Sequence, residues 1–399
     1  MFNLRRRSRT QNPCMVAVDL HMLGPGGQNG GVKPLIYNML GEIARRHAGR
    51  IAFKFLVNRS LADEVAAKFG ANSVYVVRRF LDPLASRPGQ RVSLRARWAL
   101  RNADLLYAPL WFSPFHTVAR PTVALMVDML HRDHPEMLSG ETERCWREEI
   151  ISFAARTAWN VQTISQTMAG RIRDHYGVPT SSLFTTYLPL QARLRRNRDE
   201  ELSGLQPSAF LYPANLWPHK NHERLLTAYG LYRAAAGEEA WRLVLTGHLD
   251  AGRKVLLEKV IGQLGLPIES VKFAGFLGDN DYARLWSDVG AMIFPSLYEG
   301  FGMPLLEAMH FEVPIAASRT AAIPEIVGDA ALLFDPLEPR AIADAMFKLS
   351  AQPTLRKVLI GKGKARLLAF DANKEADRLA EVFLTTIVQF RLNKGVKKL

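Results

Sequence analysis

Short apolar, β-branched runs alternate with helix-patterned stretches along nearly the whole chain, and the alternation restarts halfway. That pattern restricts the fold to parallel α/β architecture, because parallel strands are buried on both faces and need crossover helices between them. In the first half, strands are expected at Met15–Leu20, Ile51–Val57, Ser73–Val77, Leu105–Ala108, Thr122–Val127 and Asn160–Ile164. Helices are expected at Lys33–His47, Leu61–Phe69, Thr142–Trp159 and Gln166–Tyr176. The polar, Arg-rich stretch Leu190–Pro207 interrupts the pattern and marks a domain boundary. Strands then follow at Ala209–Tyr212, Arg242–Thr246, Val271–Phe273, Ala291–Pro295, Pro314–Ala317 and Ala331–Phe334, with helices between them and a nearly continuous helical run over Leu355–Phe390. The expected class is α/β, with two open, doubly wound parallel sheets. Ligands of such sheets bind outside the carboxyl ends of the strands, so two of them leave a cleft between.

The stretch Pro295-Ser-Leu-Tyr-Glu299-Gly300-Phe301-Gly302-Met303-Pro304-Leu-Leu-Glu307 carries the most chemistry. An expected strand ends at Pro295, two glycines let the backbone approach a neighbour closely, and Pro304 suits the first turn of a helix. Glu299 on the loop and Glu307 one turn into the helix would meet different parts of one ligand. Two surface glutamates are the bland alternative. A second segment, Phe210-Leu-Tyr-Pro-Ala-Asn215-Leu-Trp-Pro-His219-Lys220-Asn221-His222, runs from a strand to a helix start and places His219 and Lys220 just before the helix, where fixed cations can stabilise negative charge on a ligand.

The first segment resembles the Glu-to-Glu signature, with seven intervening residues, of the family 4 retaining glycosyltransferases of the GT-B fold. That resemblance implies two Rossmann-like domains, an acceptor-binding one over residues 1–195 and a nucleotide-sugar domain over 205–375, with a terminal helix at 376–399 packing back on the first. It implies that Glu299 contacts sugar hydroxyls near the anomeric centre and that Glu307 contacts the ribose. Gly300, Phe301, Gly302 and Met303 are then donor contacts. Lys220 matches the lysine of the family's diphosphate clamp, His219 stands where a second cation often stands, and Asn215 replaces an additional arginine. Val271-Lys-Phe-Ala-Gly-Phe276-Leu277 resembles the strand and turn that hold the nucleobase.

In the first half, Gly24-Pro-Gly-Gly-Gln-Asn-Gly30-Gly31 follows the first strand. It is a flexible turn, or a place where backbone amides meet phosphate. It also resembles the family's Gly-Gly loop over the donor diphosphate, which brings forward Gly30 and Gly31. Asp128, His131 and Pro135-Glu136 resemble an Asp-Leu-Gln-His…Pro-Glu segment of a bacterial polysaccharide branch. Asp128 and His131 are the catalytic candidates there; the family histidine at the position held by Val127 is either dispensed with or replaced by His131. His131 and His134 lack zinc-ligand spacing, and the donor half has no Asp-x-Asp string, so no metal and no cofactor is expected. The nucleoside-diphosphate sugar is a substrate.

Charge completes the expectation. Residues 1–200 hold 29 Lys/Arg against 16 Asp/Glu, whereas residues 201–399 hold 23 against 22. A basic half implies an anionic partner or a well-solvated surface. No nucleic-acid motif accompanies it, so nucleic acid is not an expected partner. Arg91, Arg95 and Arg101 with Leu94 and Trp98 read as an amphipathic basic helix able to lie on anionic lipid, or else docked on its own domain. No apolar run approaches the roughly 18–20 residues of a membrane span, no secretory signal is read at the start, and Cys14 and Cys145 offer no disulfide framework. The expected partners are a nucleotide-sugar donor, a glycan or lipid-linked acceptor and an anionic membrane face, in the cytoplasm. The reaction implied is transfer of a hexose, mannose from GDP-mannose, into cell-surface polysaccharide such as lipopolysaccharide. An epimerase of the same fold and a non-catalytic glycan-binding protein are the competing readings.

Overall fold

The computed structural model describes residues 12–25, 32–77, 94–190, 194 and 208–396. Seven strands build the first sheet: β1 (Cys14–Asp19), β2 (Ile51–Val57), β3 (Val74–Val76), β4 (Leu105–Ala108), β5 (Thr122–Met126), β6 (Asn160–Thr163) and β7 (Leu183–Thr185). Six build the second: β8 (Ala209–Pro213), β9 (Arg242–Thr246), β10 (Val271–Gly275), β11 (Ala291–Phe294), β12 (Ile315–Ser318) and β13 (Ala331–Phe334). The orders are β3-β2-β1-β4-β5-β6-β7 and β10-β9-β8-β11-β12-β13, with every pair parallel. Each order reverses direction once, at β1/β4 in the first sheet and at β8/β11 in the second. A reversal splays the flanking crossovers apart and opens a crevice at the carboxyl ends.

The strands form where the apolar runs lie. β4, β5, β11 and β12 are buried at every residue, as sheets covered by helices on both faces require. Helix starts follow local chemistry. The Ser165 hydroxyl accepts from Met168 N at 3.2 Å, and Gly177 ends the same helix, Gln166–Tyr176, at φ 64°.

Three elements depart from the expected pattern. β7 and the helix Ile323–Val327 are three and five residues long, too short to show a period. The terminal helical run is two helices, Pro353–Leu367 and Ala372–Val396. Between them Phe370 is buried against Tyr187 and Phe301, and the Asp371 carboxylate accepts from Asn373 N at 2.8 Å. Here the chain leaves the second sheet for the first. The helix Ala372–Val396 lies on the first half, where Asp377 binds Arg46 and His47, Asn160 donates to Thr386 at 2.6 Å, and the Phe383 ring meets Tyr107 at 5.1 Å.

The halves also touch through the loops at their strand ends. A Cβ placed on Gly300 would lie 2.0 Å from the Val127 carbonyl oxygen, and Ser165 donates to Gly300 O at 2.9 Å. Met129 N donates to the Tyr298 hydroxyl at 2.6 Å. Glu325 takes four bonds across the junction, from Gln166 N, Thr167 N, the Thr167 hydroxyl and the Tyr187 hydroxyl, at 2.6–3.1 Å.

Candidate functional site

The β8/β11 crevice of the second sheet holds an ion pair of two expected site residues. Lys220 ends the short turn after β8 and Glu299 lies on the loop after β11. Their Nζ and Oε1 atoms are 2.6 Å apart, with both side chains only about one-eighth exposed at 13% and 12%. Neighbouring bonds hold the two loops in register. The Tyr212 hydroxyl donates to Lys220 O at 2.8 Å and lies 2.9 Å from the Ser296 hydroxyl, while Leu297 N donates to His219 O at 2.8 Å. Asn221, in the left-handed region at φ 63°, sends its side-chain amide to Pro295 O and Pro336 O at 3.0 and 2.9 Å. Burial and then the Glu299 charge push the Tyr212 phenol well above its ordinary pKa, so it stays a neutral donor.

Glu307 lies inside the helix Met303–His310, is buried, and accepts from the Tyr282 hydroxyl at 2.5 Å. The helix starts after Gly302, whose φ of 96° excludes most other residues, and Pro304 occupies its first turn. Its first amides therefore open toward the same crevice.

The remaining expected residues divide. His219 adds no charge: burial and then Lys220 beside it lower its pKa to about 3, leaving a neutral imidazole. Asn215 accepts from His248 N at 2.8 Å and so ties the β8 loop to the β9 loop. Those loops meet closely, since a Cβ on Gly247 would stand 2.7 Å from Ala214 backbone atoms. Phe276, after β10, is 81% exposed, and Leu277 beside it is half-buried. Met303 is half-buried at the helix start.

Other expected residues are engaged with partners of their own. The Gly300 backbone makes its close approach to Val127 of the other half. The Phe301 ring is buried between Tyr187 and Phe370, where it packs and faces no open crevice. His131 does not present its side chain to the cleft. The ring is fully enclosed, with Nε2 at 3.0 Å from the Tyr176 hydroxyl and 3.3 Å from Glu148, and burial lowers its pKa. Asp128 is partly exposed and is held by Arg147 at 3.1 Å and by Leu130 N. Gly30, Gly31 and Arg91 lie outside the described residues, as does the Arg95 side chain.

Sequence reasoning missed Tyr212, Asn221, Tyr282, Tyr298 and Glu325. Asn221 carried a signal, because an Asn after a cation at a helix start is a common left-handed residue. The tyrosines carried none, being scattered aromatics until the fold joins them. Between the halves the cleft contains a cavity of about 950 Å³ lined by His134, Glu136 and Met137 from the first and by Leu297, Arg319 and Asp335 from the second. Among the described residues, no group of three His, Cys, Asp or Glu side chains converges as a metal site, and no helix is long and apolar enough to cross a membrane.

Two doubly wound parallel sheets facing across such a cleft make the GT-B fold. Residues 195–366 match the family described as Glycosyl transferases group 1. O-antigen chain mannosyltransferase B of Escherichia coli is 28% identical over 285 residues, covering 69% of this chain and 73% of that protein. The MMP alpha-(1->4)-mannosyltransferase of Mycolicibacterium hassiacum is 35% identical over 259 residues, 62% of this chain and 60% of its own. In three dimensions the chain resembles Anabaena Alr3699/HepE in complex with UDP and glucose, at TM-score 0.69 and 20% identity over 93% of this chain and all of that one. It also resembles WaaG, a glycosyltransferase involved in lipopolysaccharide biosynthesis, at TM-score 0.64 and 14% identity over 92% and 99%. The family match thus lies on the second half of the chain, and the likeness to mannosyltransferases extends beyond it.

Proposed function

We propose that this enzyme transfers mannose from a nucleoside-diphosphate sugar, GDP-mannose, to a hydroxyl of a glycan or lipid-linked glycan, with the anomeric configuration retained. The observation that carries this reading is the Lys220–Glu299 pair at the β8/β11 crossover, with Glu307 buried on the helix that follows. The relatives named as mannosyltransferases support the sugar.

In this reading the bond between the anomeric carbon and the diphosphate oxygen breaks, and the electron pair leaves with the diphosphate. Lys220 turns toward that developing charge, and the crevice-facing helix start adds backbone dipoles. Glu299, released from Lys220, receives sugar hydroxyls and balances the oxocarbenium-like positive charge. The acceptor oxygen bonds to the anomeric carbon on the face the diphosphate leaves, and its proton passes to the departing phosphate oxygen. His219, neutral, serves as a hydrogen-bond partner. Asp128 orients the sugar from the first half, and Gly30, Gly31, Asn215, Phe276 and Leu277 complete the donor site. The acceptor lies along the first half, and the basic surface of that half holds the enzyme against the inner face of an anionic membrane, in the cytoplasm.

A panel of nucleotide sugars tests the donor. GDP-mannose raises the melting midpoint more than the UDP sugars do, since only a ligand of the native state stabilises it. Equal shifts across the panel would sink the assignment of mannose. Proton NMR of the first-formed product tests retention.

A further inference from the structure

The resemblance gives Glu307 the ribose and the loop after β10 the base, and a single helix joins the two. The helix Asp279–Ser287 follows that loop, which carries the exposed Phe276. One turn into the helix, the Tyr282 hydroxyl donates to Glu307 Oε2 at 2.5 Å. Glu307 is buried on the helix Met303–His310. A carboxylate taken out of water is costly unless hydrogen-bonded, and a bond to a charged acceptor is among the strong ones.

Tyr282 is itself fixed. Its ring meets that of Trp286, on the same helix face, edge-on at 5.9 Å. Trp286 is fully buried and stacks on Phe311 at 5.7 Å with the two planes 4° apart. Phe311 follows the helix Met303–His310, and its N–H donates to Glu307 O at 2.9 Å. The contacts therefore close a circuit, from the Glu307 side chain through Tyr282, Trp286 and Phe311 to the Glu307 backbone. Turning the carboxylate away breaks a bond inside a buried site, and moving the tyrosine with it disturbs two packed rings.

We propose that Tyr282 is a positioning residue that gives the nucleotide site its selectivity for ribose, acting through Glu307. The proposal rests on the function given above and names what sets the nucleoside end of that donor site. A carboxylate accepts up to about four hydrogen bonds, so one from the tyrosine and those from two vicinal ribose hydroxyls are compatible on one group. Two hydroxyls at once require the carboxylate at one angle, and holding it there beforehand removes an ordering cost from binding. The same helix starts at the base-site loop, so base and ribose contacts keep one spacing.

Calorimetric titration of the full chain with GDP and with 2′,3′-dideoxy-GDP tests this. The wild type binds GDP about tenfold or more tighter than the dideoxy form, the scale of hydrogen bonds to a charged group. Tyr282→Phe keeps the ring against Trp286 and lowers that ratio to about threefold or less, with the affinity for the dideoxy form kept within about twofold. Glu307→Gln lowers the ratio likewise, and adding Tyr282→Phe to it lowers the ratio no further, as two residues on one path behave. A tyrosine that serves only the packing weakens both nucleotides in step. That result, or a wild-type ratio in Tyr282→Phe, overturns the proposal. If GDP does not bind, UDP and 2′,3′-dideoxy-UDP carry the same test, and only the guanine assignment falls. A wild type that binds both forms of a nucleotide equally removes the ribose contact of Glu307 and the proposal with it, while the roles given to Lys220 and Glu299 stand. Binding of neither GDP nor UDP ends the donor reading and the proposal together.

Discussion

The strongest single-residue demand falls on Glu299. Its carboxylate is bound to Lys220, so in the proposed reading Glu299→Ala removes both a sugar contact and the group that sets the lysine. Steady-state turnover of that variant falls about 10²–10³-fold, the range for losing one preorganised electrostatic contact. Turnover near that of the wild type would take Glu299 out of the site. The histidines make a different prediction. Burial and then Arg253 hold His222 at about 3, and burial and then Lys220 hold His219 at about 3, both below the ordinary value near 6.5. The unfolded chain therefore binds more protons than the folded one as pH falls below about 6.5, and the stability these two residues contribute is present above that pH and lost progressively down toward about 3. Thermal melting across pH 7.5 to 4.5 follows a falling midpoint, and His222→Phe, filling the same buried space, flattens the slope. An identical slope in the variant contradicts the assignment. In the sequence these two histidines flank Lys220 and Asn221, and nothing there sets their charge. Only their burial makes them neutral.

At the scale of elements, the loop after β11 does two jobs that its sequence merged into one. Glu299 points to Lys220, while Gly300 beside it leaves room for the Val127 carbonyl. Gly300→Ala sets a methyl carbon on a backbone oxygen that has no flexible end to move, so the two loops separate. The expected result is a lower melting temperature and a loss of turnover larger than the loss of nucleotide affinity, read by titration with GDP. Equal losses in both would mean that the glycine serves the donor alone. The strand ends, the helix start at Pro304 and the register of apolar runs were readable because each depends on local period and turn chemistry. The neighbour of Gly300 was not, since it lies 173 positions away in sequence. β7 and the helix Ile323–Val327 escaped for a related reason: tertiary packing makes elements this short, and they show no period of their own.

Over the whole molecule, the second half is not an independent bead on a linker. Glu325 receives four donors from the first half, and the helix Ala372–Val396 returns to pack there. Glu325→Ala leaves two backbone amides and two hydroxyls without their acceptor, so limited proteolysis is faster and the midpoint lower than in the wild type, with GDP restoring part of the difference. Protease resistance equal to the wild type would show that the junction is held elsewhere. The basic first half gives the last prediction. On the helix Leu94–Leu100, Trp98 is 63% exposed beside Tyr75. Sedimentation with anionic vesicles exceeds that with neutral ones and weakens with salt, as a screened charge interaction does; no preference would remove the membrane partner.

The sequence by itself determined the class of the molecule. Period and turn chemistry wrote two doubly wound sheets, and one Glu-to-Glu segment with a lysine upstream pointed to a candidate site at the end of a strand in the second half. Tertiary structure decided what no local pattern carries. It paired Lys220 with Glu299, kept His219 and His222 neutral, enclosed His131, and set Gly300 against Val127. Each of these depends on burial and on contacts between distant segments, and neither quantity exists in a chain until its sheets have closed on each other.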